Sequence, residues 1–289
     1  FAREDLFTCV HEQFMTATAE MADIVLPATM FLEHDDIYQG GGHQHIMLGP
    51  KLIEPPGECW SNHDVICALA KRVGAEHRGF AMTPREIIDW TLQNSGWGTL
   101  EQLEQAKWID CQPEFETAHY IEGFRYPDKK FRFKPDWNNV PAPRANTLRF
   151  PRDVPSLPDH WDVNEKVDAK HPFRLATSPS RDYLNSSFNE TPTSQRRHGK
   201  PRVKVHPDDL DRLGISDGAR VRMGNARGEI TLLAEAFAGV QPGVVIVESI
   251  APNAHFEGGE GINTLTSSYQ ASPYGGAAFH DNHVWIEKA

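Results

Sequence analysis

A chain of 289 residues with 40 acidic and 29 basic side chains carries a formal net charge of −11, which argues against nucleic acid as a partner and requires that any bound anion be held by local donors. No apolar run reaches membrane-spanning length and no charged-then-apolar leader opens the chain, so a soluble, cytoplasmic protein without membrane insertion is expected. The length suits about two domains, and four dispersed cysteines (Cys9, Cys59, Cys67, Cys111) with no C-x-x-C pair speak against a zinc knuckle, an iron–sulfur motif or a disulfide framework.

Leu6–Val10 predicts a strand, Thr16–Ala22 a short helix and Asp23–Pro27 a second buried strand stopped by proline, together a compressed β-α-β crossover. Parallel strands of this kind need both faces covered, so the unit reads as part of a larger α/β domain. Glu12, Thr16 and Thr18 follow the first strand, at the edge where open α/β sheets bind ligands; an acid there can accept from a ribose or a guanine, whereas the alternative is helix capping by Thr16 beside a solvated Glu12. Glu33–His45 reads as a loop with a glycine run. His43 and His45 could ligate zinc or iron, but their spacing matches no helix-borne motif such as H-E-x-x-H, and a flexible loop at a ligand entrance with no metal site is expected. Asn62 is predicted to cap a helix with Val65, Leu69 and Val73 on one stripe and Gly74 as its stop. Thr83-Pro84-Arg85-Glu86 and Thr99–Gln102 are capping boxes that open two further helices. Tyr120–Lys170, rich in aromatic residues and proline, predicts a strand pair and then an extended linker. The expected division is a partial α/β domain over 1–150, a linker over 151–170 and a second domain over 171–289.

In the second domain the apolar run Phe173–Ala176 empties into a loop with Thr177, Ser178, Ser180, Arg181, Asn185 and Asn189. Several neutral donors and one fixed positive charge suit a phosphorylated or heterocyclic ligand; the alternative is a solvated turn. The sequons at Asn185 and Asn189 read as chance in a Ser/Asn-rich stretch. His206–Gly214 predicts a short capped helix, Ala219–Met223 and Glu229–Ala234 a hairpin, and Val244–Glu248 another strand after the Pro242-Gly243 turn, a pattern that suits a small barrel. The Gly-rich tail places Asn253 and Asn263 where they can read donors and acceptors.

Val10–Pro27, Glu33, Pro55–Glu58 and Ala68–Gly74, followed by Leu175–Thr177, Val205–Leu210, Leu213–Gly218, Ala226–Ile230, Pro242–Val245 and Asn263–Thr266, closely resemble in their order the molybdopterin oxidoreductases of the dimethyl-sulfoxide-reductase type. The first set resembles the family's third domain and the second its C-terminal dinucleotide-binding domain; the middle matches weakly. The resemblance implies a Rossmann-like α/β portion and a six-stranded double-psi-type β-barrel, the C-terminal part of an enzyme that holds molybdenum or tungsten between molybdopterin guanine dinucleotides. The metal ligand, and any iron–sulfur cluster, would lie in N-terminal regions outside this chain, so no catalytic or metal-ligating residue is assigned, and this stretch alone would be inactive and need not retain cofactor. Glu12, Thr16 and Thr18 would lie by the guanosine end of one dinucleotide, and Glu33 would also be a cofactor-binding residue. The loop with Thr177, Ser178, Ser180, Arg181, Asn185 and Asn189, together with Asn263, would hold the second, chiefly at its pterin and diphosphate, and Asn253 would also be a cofactor-binding residue. The implied partners are the N-terminal remainder of the enzyme, a small-molecule substrate and an electron-transfer subunit. Many members carry Gly-Thr-x-x-Asn-x-Glu-Gly-Arg after the acid matching Glu33; Asp36–His45 departs from it, which implies a divergent branch and leaves the substrate open. A non-enzymatic barrel used as a binding or interaction module is the alternative.

Overall fold

A computed structural model describes residues 1, 3–134, 136, 157, 159–160, 162–185, 187–248, 250–268, 270–271 and 276–289. It divides into two compact units, Phe1–Phe131 and Arg132–Ala289. Of the predicted linker over 151–170, residues 151–156, 158 and 161 lie outside the described residues.

In the first unit, β1 (Cys9–Glu12) and β2 (Ile24–Pro27) pair in parallel across α1 (Ala17–Glu20), from Cys9 opposite Ile24 to Glu12 opposite Pro27. The crossover is the expected one, but its first strand starts later than predicted, at Cys9; Thr8 just before it donates to the Asp23 carboxylate at 2.7 Å and accepts from Asp23 N and Ile24 N. The stretch from Glu33 to His45 is not simply a loop. β3 (Asp36–Gln39) and β4 (His45–Gly49) form an antiparallel hairpin around the glycine run, and β5 (Trp108–Asp110) adds a third strand. Ile46, with Ile37, Leu48 and Ile109 of this sheet, packs with Ile88, Leu92, Leu100 and Leu103.

α2 (Asn62–Val73) is capped by Ser61 rather than Asn62, since the Ser61 hydroxyl accepts from Asp64 N, and it ends at Gly74 in the left-handed region (φ 68°). Its expected apolar stripe does not enter the core: Leu69 is 53% and Val73 78% exposed. Both capping boxes form, Thr83 with Glu86 at the start of α3 (Pro84–Asn94) and Thr99 with Gln102 at the start of α4 (Leu100–Ala106). A short α5 spans Phe115–Ala118. Among the described residues of Tyr120–Lys170 no strand pair forms; Phe124 N donates to Lys129 O in a tight turn while its ring stacks on Tyr120 at 4.6 Å.

The second unit is built on a closed six-stranded barrel. Its elements are β6 (Phe173–Ser178), α6 (Pro192–His198), β7 (Arg202–Val205), α7 (Pro207–Leu213), β8 (Arg220–Asn225), β9 (Gly228–Ala236), β10 (Val244–Glu248), the two-residue strands β11 (Gln270–Ala271) and β12 (Gly276–Ala277), and β13 (Asn282–Lys288). The barrel closes in the order β10-β6-β13-β8-β9-β7, with β6/β10 and β7/β9 parallel and the other pairs antiparallel. Alternation fills it: Val221 and Met223, then Ile230, Leu232 and Ala234, then Val284 and Ile286 point inward with Phe173, Leu175 and Val203. The predicted hairpin turns at Ala226-Arg227, where Asn225 faces Gly228. Gly224 is required by close approach, because a Cβ there would stand 2.5 Å from the Trp285 ring and 2.8 Å from Gly228 O. Gly214 caps α7 at φ 65°, and the buried Asp209 carboxylate accepts from Arg212 at 2.6 Å and Gly243 N at 2.7 Å, tying α7 to the turn before β10. Among the described residues, no helix is long and apolar enough to cross a membrane.

Candidate functional site

Where β6 leaves the barrel, the polar loop folds back on α6 instead of trailing into solvent. Thr191 caps α6 by accepting from Ser194 N, and Pro192 occupies its first turn; the Thr-Pro pair is the signal that would have revealed this helix within a stretch read as loop. Ser194 Oγ donates to Asp182 O at 2.7 Å, Ser180 Oγ accepts from Asp182 N at 3.1 Å, and Leu184 and Ser187 exchange backbone bonds around Asn185 at φ 50°. Asparagine tolerates that left-handed backbone better than most side chains. Thr177 Oγ1 pairs with His280 Nδ1 at 3.1 Å, joining β6 to the approach of β13. Ser178, Ser180 and Asn189 are partly buried, while Arg181 and Asn185 face solvent.

His198 closes α6 with its Nε2 3.1 Å from the Tyr183 hydroxyl. Burial pushes this imidazole below its ordinary value of 6.5, outweighing the opposite pull of Asp182 and Glu248. The unfolded chain therefore takes up this proton first as the pH falls. The resulting stability is complete above about pH 6.5 and is lost as the pH drops through the lower folded value. Urea midpoints measured from about pH 8 to about pH 5 should fall over that window, and His198→Gln should flatten the fall.

The donor set has a member that the sequence did not single out. Asn282 begins β13 opposite Leu175 of β6, and its side chain points into the barrel in line with Val284 and Ile286. It is 2% exposed, and its Nδ2 has no hydrogen-bond partner among the described residues. A buried amide donor left unpaired costs about 1–3 kcal/mol, so the end of the barrel beside Thr177 and His280 suits a ligand that supplies an acceptor. The clue in the sequence was an asparagine at the first inward position of an otherwise apolar alternation.

The remaining predicted residues are placed as follows. Asn253 and Asn263 lie in separate 3-10 turns, Asn253–His255 and Ile262–Leu265, both exposed. No hydrogen bond among the described residues links them to Thr177–Asn189. Below the loop a cavity of about 190 Å³ is lined by Asp182, His198, Lys204, Glu248 and Phe256 among others, with Lys204 and Glu248 paired. In the first unit, Glu12 lines a cleft of about 510 Å³ with His11, His34, Asp36, Tyr38 and His63. That volume suits a small-molecule site. Burial, aided by Asp36, raises the Tyr38 hydroxyl above its ordinary range. Thr16 Oγ1 accepts from Ala19 N as the cap of α1, Thr18 is exposed on that helix, and Glu33, 8% exposed, accepts from Met30 N at 2.8 Å. His43 and His45 interact mainly locally, His45 N donating to His43 Nδ1 at 3.1 Å while the His45 ring meets Trp108 edge-on at 4.8 Å.

Residues 173–284 match the molydopterin dinucleotide binding domain and residues 1–72 the molybdopterin oxidoreductase domain. The chain is 31% identical over 292 residues to "Probable oxidoreductase YoaE" of Bacillus subtilis (strain 168), covering 99% of this chain and 40% of that protein. It is 29% identical over 260 residues to the dimethyl sulfoxide/trimethylamine N-oxide reductase of Rhodobacter capsulatus, covering 82% of this chain and 31% of the relative. The fold superposes on acetylene hydratase from Pelobacter acetylenicus with a TM-score of 0.76 at 17% identity, over 98% of this chain and 40% of that one. The chain thus spans well under half the length of these relatives.

Proposed function

The chain belongs to the molybdopterin oxidoreductases of the dimethyl-sulfoxide-reductase type, and from that premise we propose that it is the cofactor-binding, C-terminal portion of a longer oxidoreductase dependent on molybdenum or tungsten. The family's cofactor is the molybdopterin guanine dinucleotide, and it supplies the redox chemistry when bound. What falls to these residues is binding, orientation and exclusion of water.

The observation that carries this reading is the buried Asn282 Nδ2, without a partner among the described residues, at the barrel end from which the hydroxyl and amide loop departs. Neutral donors at Thr177, Ser178, Ser180, Asn185, Asn189 and Asn282 suit the carbonyls and ring nitrogens of a pterin, and Arg181 suits a diphosphate. In this reading Asn253 and Asn263 complete the second unit's share, and Glu12, in its cleft, accepts from a guanosine with Thr16, Thr18 and Glu33 close by. The double-psi form of the barrel, a cytoplasmic setting, an N-terminal remainder that completes the pocket, a small-molecule substrate and an electron-transfer subunit belong to the same proposal. This stretch alone would be inactive.

Expression of the full-length gene followed by metal analysis and acid release of nucleotide tests it. The expected result is molybdenum or tungsten together with guanine nucleotide. A pure, folded full-length protein that carries neither after expression in a cofactor-producing host would overturn the reading and favour a non-enzymatic binding module.

A further inference from the structure

A cluster of ligating groups forms where the segment leading into β6 runs beside β13. Glu165 Oε2 accepts from His283 N at 3.0 Å, and the same carboxylate holds the Arg227 guanidinium at 2.6 Å. Asn164 Nδ2 donates to Asp281 at 3.2 Å. These bonds bring His171 and His283 together, with ring centroids 4.3 Å apart and planes within 12°. Asp168 stands beside them, and one donor atom from each of Asp168, His171 and His283 lies within 4.8 Å of the other two.

We propose that Asp168, His171 and His283 form a binding site for a divalent transition metal of the zinc and nickel class. Two imidazoles and one carboxylate are the ligand set such ions select. Asp168 Oδ1 and His171 Nδ1 are already 3.1 Å apart, close to the roughly 3.3 Å that separates two ligands on a tetrahedral zinc with bonds near 2.0–2.1 Å. A metal replaces the proton they share. His283 Nδ1 lies 2.8 Å from the Lys166 carbonyl oxygen, so that nitrogen carries the proton and Nε2 keeps its lone pair, the outer bond that commonly orients a metal-bound histidine. Binding tilts the stacked rings toward each other, because the lone pairs of parallel imidazoles run side by side instead of converging. Asp168 is exposed, and its Oδ1 also accepts from Lys170 N at 2.8 Å and His171 N at 2.7 Å, bonds that hold the carboxylate beside the His171 ring. The bound ion staples the segment before β6 to the strand that closes the barrel, and with three protein ligands it retains a position for water.

The test is titration of the chelator-stripped 289-residue chain with zinc by calorimetry, and with cobalt by its visible absorption, alongside His171→Ala, His283→Ala and Asp168→Asn. The expected result is one bound ion, cobalt bands of tetrahedral intensity, and a thermal midpoint that rises with zinc in the parent chain. Each variant should bind at least tenfold more weakly and lose the rise, whereas a His43→Ala/His45→Ala double variant should keep both. Absence of binding by the parent chain, or binding unchanged in His171→Ala and His283→Ala, overturns the proposal. Asp168→Asn keeps a side-chain oxygen that can accept from Lys170 N and His171 N, so its result decides the matter if a histidine variant fails to fold.

Discussion

Asn282→Leu is expected to stabilise the cofactor-free chain and to weaken cofactor binding in the full-length enzyme. Leucine keeps asparagine's branching and its number of heavy atoms, with bulkier methyl groups, and would join Leu175 and Val284 on the barrel's inner face, while the buried donor left without a partner among the described residues, a cost of about 1–3 kcal/mol, disappears. For a unit of this size the thermal midpoint should rise by roughly 2–4 °C for each kcal/mol regained. The same substitution removes a hydrogen bond to the ligand, and at about 1.4 kcal/mol the loss is tenfold in affinity. Calorimetry on the chain and pterin fluorescence per protein on the full-length enzyme measure the two effects, and their opposite signs set this role apart from packing. A Leu variant that melts earlier yet carries its full complement of pterin would show that Asn282 is a packing residue.

Phe173→Ala should be the most damaging single truncation in the second unit. Phe173 is fully buried at the start of β6, where it packs in the barrel core with the Arg212 guanidinium 5.5 Å from its ring centre. Emptying such a site costs about 3–5 kcal/mol, a large part of the 5–15 kcal/mol that usually holds a domain folded. Leu103→Ala, in the separate cluster of the first unit, should cost about 2–5 kcal/mol. The two clusters share no residue. Hydrogen exchange resolved by peptide should therefore lose protection over β6–β10 and β13 in the first variant and over β3–β5, α3 and α4 in the second. Equal loss along the whole chain in either variant would contradict two separately stabilised units.

The elements legible in the sequence share a physical feature: their specification lies within a few residues. Thr83 with Glu86 and Thr99 with Gln102 close their capping boxes inside one helical turn, Gly74 and Gly214 stop α2 and α7, and Ala226-Arg227 turns the β8–β9 hairpin. The misses came where a local signal competed with a distant partner. Gly40–Gly42 suggested a loop, yet Ile37, Ile46 and Leu48 make a hairpin there because α3 and α4 cover it. Val65, Leu69 and Val73 had a core helix's spacing, but a stripe carries no information about whether anything packs against it, and Leu69 and Val73 lie open. β13 escaped notice although Asn282, Val284 and Ile286 alternate inward, since a lone terminal strand has no hairpin turn to announce it.

By itself the sequence determined the capped helices, the β8–β9 hairpin, the parallel β1–β2 crossover and the character of the Thr177–Asn189 loop, because backbone caps, turns and hydroxyl chemistry act over short separations. Only the tertiary structure decided that Asn282 is buried without a partner among the described residues and that His171 stacks on His283 beside Asp168. Those facts depend on which strand closes the barrel against β6, and that pairing is set by the burial of one shared core, not by any residue's neighbours in the chain.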